Sequence, residues 1–202
     1  MIYRDRIDAA ERLALALAAW RGKRPLVMAI PRGAVPMGKV IAQRLDGDLD
    51  VVLTRKLHAP CNPEYAIGAV DESGWTYVTE YAEAAGATPE YLRAQVAAEM
   101  ATMRRRRAEY TPARAPVDPV GRVVIVVDDG LATGATMVAA LHALRARHPR
   151  RLVCAVPVAS PQAVEKVRAY ADEVVCPLVT ADFYAVGQFY RRFDQVDDAE
   201  VV

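Results

Sequence analysis

The stretch that most constrains this chain is Arg122 to Met137, RVVIVVDDGLATGATM. Its apolar core, Val123 to Val127, is β-branched at every position and five residues long, which suits a strand covered on both faces of a parallel sheet. The run stops at two carboxylates, Asp128 and Asp129. A loop of small residues follows, Gly130 to Thr136, and helical spacing then runs from Met137 to Arg147. A strand that turns through Gly and Thr into a helix start builds an anion site. The first helical N–H groups have no partner within the helix, the helix dipole is positive there, and threonine hydroxyls add donors. Two adjacent acids would repel a phosphate unless they bind hydroxyls or a metal. The constellation therefore asks for a ligand with a phosphate at one end and a diol beside it, as in a ribose 5-phosphate.

The rest of the chain alternates in the same style. Apolar runs at 25–30, 50–54, 151–158 and 173–178 add four candidate strands, and helical patterns cover 35–45 and 161–171. The spacing predicts an α/β fold: a doubly wound, mostly parallel five-stranded sheet. Residues 1–202 form a single domain in this reading. A cap or hood comes from the termini, including 178–202, and from an insertion at 57–119. An N-terminal helix capped by Asp5 or Asp8 runs to about Trp20, is broken by Gly22, and has a packing role. Within the insertion, Ala66 to Val70 and Trp75 to Thr79 suggest a hairpin around Asp71-Glu72-Ser73-Gly74. Thr88-Pro89-Glu90 opens a helix reaching about Tyr110, because Thr caps, Pro suits the first turn and an acid suits the positive end. Arg104 to Arg107 circle that helix and read as a solvated helix end.

Two further corners carry charge. Pro31-Arg32-Gly33-Ala34 ends the 25–30 strand, with Arg32 as a cationic donor and Gly33 permitting close backbone approach. Arg55 and Lys56 follow the 50–54 strand, at the carboxyl end where open α/β sheets bind ligands, and would neutralise a departing anion.

The run VVIVVDDGLATGAT resembles the ribose-phosphate signature of the type I phosphoribosyltransferases. That resemblance implies binding of phosphoribosyl pyrophosphate (PRPP), with Asp128 and Asp129 on the ribose hydroxyls. It places Ala132, Thr133, Gly134, Ala135 and Thr136 on the 5′-phosphate. It likens the Arg32-Gly33 corner to the family's pyrophosphate loop and gives Arg55 and Lys56 to the leaving pyrophosphate. The segment 57–86 corresponds to the family's mobile loop, where His58, Glu64 and Glu72 are titratable and Glu64 is a speculative acid–base candidate. The aromatic stretch Asp182 to Tyr190 resembles the base-gripping segment of the hypoxanthine-guanine branch, so Tyr184 would stack on the base and Ala185 would offer backbone. Mg2+ is the implied cofactor, near Asp128 and Asp129 but held largely through PRPP and water. The implied reaction is Mg-dependent phosphoribosyl transfer to a nucleobase of purine type, with Asp128, Asp129, Arg32 and Lys56 as the reacting site's residues, in a homodimer.

The resemblance has departures. Ala132 stands where the hypoxanthine-guanine enzymes carry an Asp, Arg191 where they carry a metal-serving Asp, and no lysine occurs between Val174 and Thr180 to read a 6-oxo group. A PRPP-sensing regulatory protein and a non-nucleobase acceptor are the alternative readings. With 26 basic and 25 acidic residues, the chain has no global field directed at nucleic acid or an anionic membrane. Three scattered cysteines read as reduced, pointing to the cytoplasm, and no apolar run is long enough to span a bilayer.

Overall fold

A computed structural model describes residues 2–202. Its centre is a sheet of five parallel strands: β1 (Leu26–Ala29), β2 (Asp48–Val51), β6 (Val123–Val127), β7 (Arg151–Ala155) and β9 (Glu173–Val175), in the spatial order β2-β1-β6-β7-β9. Between β1 and β2 in the chain lies α2 (Ala34–Leu45), and after β6 comes α4 (Ala135–Arg145). β1 sends the chain to one side of the sheet and β6 to the other. The two therefore meet at the switch point, beyond whose carboxyl ends such sheets leave a crevice.

Side chains of the central strands alternate between two cores. Val27, Ala29, Val123, Ile125, Val127 and Val153 pack on the side of α1 (Arg6–Ala16) and α2. Leu26, Met28, Val124, Val126, Leu152 and Cys154 pack on the side of α4 and α5 (Pro161–Arg168). Coverage on both faces explains why β6 is apolar at all five positions. The caps follow the chemistry of the residues before each helix. Asp5 accepts from the Asp8 amide at 2.9 Å, and Ser160 accepts from the Ala163 amide at 3.1 Å. Before α3 (Pro89–Tyr110), Thr88 accepts from the Tyr91 amide at 3.1 Å. Such caps contribute about 1 kcal/mol each.

The insertion holds more sheet than a hairpin. β3 (Thr54–Ala59), β4 (Asn62–Asp71) and β5 (Thr76–Val78) form an antiparallel three-stranded sheet. The expected β4–β5 hairpin is present, but the reading of 50–54 as one core strand is corrected. The core strand ends at Val51, and Thr54 already pairs with Asp71 in the second sheet, so Arg55 and Lys56 belong to β3. Two more expected strands are shorter than 151–158 and 173–178 suggest. Pro157 and Pro177 supply no amide to the ladder, and the chain beyond them forms a separate two-stranded pair, β8 (Val158–Ala159) with β10 (Leu178–Val179). The first helix stops at Ala16, and a short 3-10 turn carries the chain on to Trp20.

Residues near the two ends of the chain meet. Tyr3 and Tyr190 form a parallel bridge, with the Tyr3 amide donating to the Phe189 carbonyl at 2.8 Å and the Arg191 amide to the Tyr3 carbonyl at 2.9 Å. A short helix, α6 (Asp198–Val201), follows. No helix among the described residues is long and apolar enough to cross a membrane.

Candidate functional site

A cavity of about 270 Å3 opens at the switch point. The β1 end contributes Ile30, Pro31 and Gly33, and the β6 end contributes Asp128 to Gly134 together with Thr136. Lys56 from β3 and Val186 from a 3-10 turn (Val186–Phe189) complete the wall.

The loop from Gly130 to Gly134 is fastened to β8. The Leu131 amide donates to the Val158 carbonyl at 3.0 Å, the Ser160 amide to the Leu131 carbonyl at 3.1 Å, and Ser160 Oγ to the Ala132 carbonyl at 2.8 Å. Gly134 then turns into α4 with φ 78°, a left-handed conformation that glycine adopts without steric cost. The helix therefore starts at Ala135, earlier than its spacing suggests, and its positive end faces the cavity beside the Thr133 and Thr136 side chains.

The two acids differ in surroundings. Asp128 Oδ1 accepts the Asp129 amide at 2.8 Å. Burial first, and then the charge of Asp129, push the Asp128 carboxyl well above the usual carboxylate range, while nearby Lys56 acts the other way. Asp129 is also raised by burial, but Arg6 opposes the shift. Nε and Nη2 of Arg6 both lie 3.0 Å from Asp129 Oδ2. The Asp129 carbonyl accepts from the Tyr190 hydroxyl at 2.6 Å. Burial, followed by the Asp129 charge, raises the pKa of that phenol.

Of the residues expected to meet the ligand, Gly33, Lys56, Asp128, Asp129, Ala132, Thr133, Gly134 and Thr136 line this one cavity. Ala135, between Gly134 and Thr136, is buried and does not line it. Arg32 and Arg55 lie outside its lining. Arg32 sits 3.8 Å from Asp198 of α6, and Arg55 Nε donates to Glu99 of α3 at 2.6 Å. Neighbours on an antiparallel strand point to opposite faces, so Lys56 and Arg55 part company. Tyr184 is 87% exposed, and the Tyr184 and Ala185 amides both donate to Gln188 Oε1, at 2.7 and 3.0 Å. Their neighbour Val186 reaches the cavity instead, against Gly130, where an added Cβ would come 2.7 Å from a Val186 methyl. His58 accepts at its carbonyl from the Tyr91 hydroxyl, and Glu72 pairs with Arg107, so both serve the β3–β5 sheet. Arg6 and Tyr190 carry no local sequence signal for the site. They arrive only because distant segments of the chain pair beside it.

Residues 2–193 match the family model described as the phosphoribosyl transferase domain. The chain belongs to the phosphoribosyltransferase family. This phosphoribosyltransferase-family chain is 46% identical to protein TT1426 of Thermus thermophilus, whose crystal structure superimposes with a TM-score of 0.82 over 100% of this chain and 96% of that one. It is 38% identical over 207 residues to a Mycobacterium tuberculosis H37Rv protein named, provisionally, as a phosphoribosyl transferase. All of this chain is matched, against 46% of that protein, so the chain spans about half the length of the curated relatives it matches. A hypoxanthine phosphoribosyltransferase of Staphylococcus aureus shares the fold at 13% identity, with a TM-score of 0.51 over 90% of this chain and 78% of the other.

Proposed function

We propose that the chain transfers the 5-phosphoribosyl group of PRPP to a nucleobase of purine type, with release of pyrophosphate. One observation carries this reading: a carboxylate pair and a loop leading into a helix N-terminus share a single cavity with Lys56 and the Gly33 backbone. Phosphate suits the α4 end, where dipole, amides and the Thr133 and Thr136 hydroxyls converge. A diol suits the carboxylates, which accept from hydroxyls and would repel a second anion. Pyrophosphate suits Lys56 and the β1 corner.

The chain's own contribution is to hold and orient. Asp128 and Asp129 fix the ribose so that its anomeric carbon faces the acceptor, and Lys56 meets charge as it builds on the departing pyrophosphate. Positioning and preorganised charge of this kind account for most of the rate gained in group transfers with charged leaving groups. Tyr184, exposed beside the Val186 edge of the cavity, is the stacking platform for the acceptor base.

Mg2+ fits the residues present. Among the described residues no cluster of three His, Cys, Asp or Glu side chains is arranged to hold an ion, and one oxygen of Asp129 is already taken by Arg6. Asp128 and Asp129 would hold an ion that takes its other oxygens from PRPP and water. Such an ion supplies charge neutralisation to the pyrophosphate.

The test is pyrophosphate release from PRPP and Mg2+ with adenine, hypoxanthine, guanine, xanthine, uracil or orotate as acceptor. Release with a purine base, and its loss in an Asp128→Asn, Asp129→Asn double variant, are expected. Normal turnover by the double variant, or failure of the wild type to bind PRPP, would overturn the reading.

A further inference from the structure

Among the described residues, Arg6 is the one cation in direct contact with the carboxylate pair, and it comes from the helix that the sequence assigns to packing. Its side chain is only 13% exposed and is held on three sides. The guanidinium meets Asp129 Oδ2 through Nε and Nη2, donates through Nη1 to the Asp194 carbonyl, and lies 4.0 Å over the Phe193 ring. Asp129 is gripped a second time by Tyr190, whose ring sits 5.0 Å from Phe193 and 5.7 Å from Tyr3. The segment from Val186 to Asp194 thus reaches the cavity by three routes: Val186 in the wall, Tyr190 on the Asp129 backbone, and Phe193 with Asp194 through Arg6.

Within that segment Phe189 and Tyr190 are buried in the core, whereas Arg191, Arg192 and Asp194 are exposed. Its backbone is tied mainly to the N-terminal residues, through the Arg191 amide on the Tyr3 carbonyl and the Arg192 amide on the Arg4 carbonyl, both at 2.9 Å. Phe193 is 39% exposed, so solvent reaches one side of the ring on which the guanidinium rests.

We propose that Arg6 is a positioning residue that fastens Asp129 to the C-terminal segment, so that binding of a ribose phosphate and docking of residues 186–194 form one linked equilibrium. The inference rests on the ribose-phosphate reading of the cavity. With Nε and Nη2 both on one oxygen, the guanidinium commits Oδ2 of Asp129 and leaves Oδ1 as the acceptor presented to a hydroxyl. Arg6 keeps that orientation only while Phe193 and the Asp194 carbonyl hold it in place. A ligand that needs the oriented carboxylate therefore favours the docked segment, and by reciprocity the docked segment favours the ligand.

The experiment uses the full chain with Mg2+ and PRPP as probe, in wild type, Arg6→Gln and Phe193→Ala. Affinity is read by calorimetry, and amide hydrogen exchange is followed at Tyr190, Arg191 and Arg192, with α5 as reference. In the wild type, PRPP is expected to slow exchange at these three amides and leave α5 unchanged. Phe193→Ala touches nothing in the cavity, yet it is expected to weaken PRPP binding about tenfold and to reduce the ligand-dependent slowing. Arg6→Gln is expected to do both more strongly. A purely structural role would lower stability without altering how exchange responds to ligand. If wild-type protein binds PRPP while exchange at residues 190–192 ignores it, or if Phe193→Ala binds as wild type does, the linkage is overturned and the ribose-phosphate reading stands. If the wild type does not bind PRPP, both fall together.

Discussion

A methyl group on Gly33 would stand 2.5 Å from Oδ2 of Asp129 and 3.0 Å from Nη2 of Arg6. The β1 corner and the β6 carboxylate are thus in contact across the switch point, with room for a hydrogen and nothing more. Gly33→Ala is expected to displace the Asp129–Arg6 pair while the sheet stays intact. A shift of about an ångström in a positioned group can cost on the order of 100-fold in rate, and steady-state turnover beside an unchanged circular dichroism spectrum checks this.

Lys56 and Arg55 are adjacent cations with different surroundings. Lys56→Gln is expected to lower turnover on the order of 100-fold, as loss of a charge-stabilising donor does. Arg55→Gln removes an ion pair with Glu99 that is only partly buried, and is expected to cost no more than about 1 kcal/mol of stability with turnover retained. Measuring both variants side by side, by kinetics and by chemical denaturation, separates the roles. Equal kinetic losses would contradict the geometry.

Asp128 is held in a place that disfavours its charge. Its carboxyl is raised by burial and by Asp129, so the native state binds that proton more tightly than the unfolded chain does. The sign follows: this group's contribution to stability rises as pH falls from neutral through the raised native value, and levels off below the unfolded one. Asp128→Asn is therefore expected to melt higher at neutral pH, by roughly 2–4 °C for about 1 kcal/mol in a chain of this size. The gap should narrow on acidification while activity is lost. Melting curves at several pH values check the direction.

Tyr184 is free to meet a partner from solvent, being 87% exposed. Base–aromatic stacking is worth about 1–3 kcal/mol, so Tyr184→Ala is expected to raise the acceptor KM roughly tenfold or more, with PRPP affinity and melting temperature unchanged. An unchanged acceptor KM would remove Tyr184 from the site.

Much of the architecture is legible in the sequence because its signals are local. Val123–Val127 is apolar at every position since both faces are covered, and the loop after the two acids closes at Gly134, which adopts φ 78° at the turn into α4, so Ala135 and Thr136 of the expected loop are already helical. Asp5 and Thr88 announce their helices by capping chemistry. Sequence and structure part where one residue decides between sheets. Thr54 has the pattern of a core strand's last residue, yet it begins β3, because patterning alone does not register which ladder a strand edge joins. Pro157 and Pro177 end core strands that hydropathy alone extends. Arg6 and Tyr190 are silent in the sequence for a different reason. Their partner is Asp129, more than a hundred positions from Arg6, and no periodicity connects residues that meet only through the pairing of distant segments.

That pairing divides the residues the sheet needs from those the Asp129 setting needs. The last strand of the five-stranded sheet finishes at Val175, after the Gly130–Gly134 loop and both acids. The grips on Asp129 involve Tyr190, Phe193 and Asp194. The five-stranded sheet thus draws on no residue beyond Val175, whereas the side-chain setting of Asp129 draws on residues 190–194, and a change confined to that stretch reaches the cavity without touching the sheet.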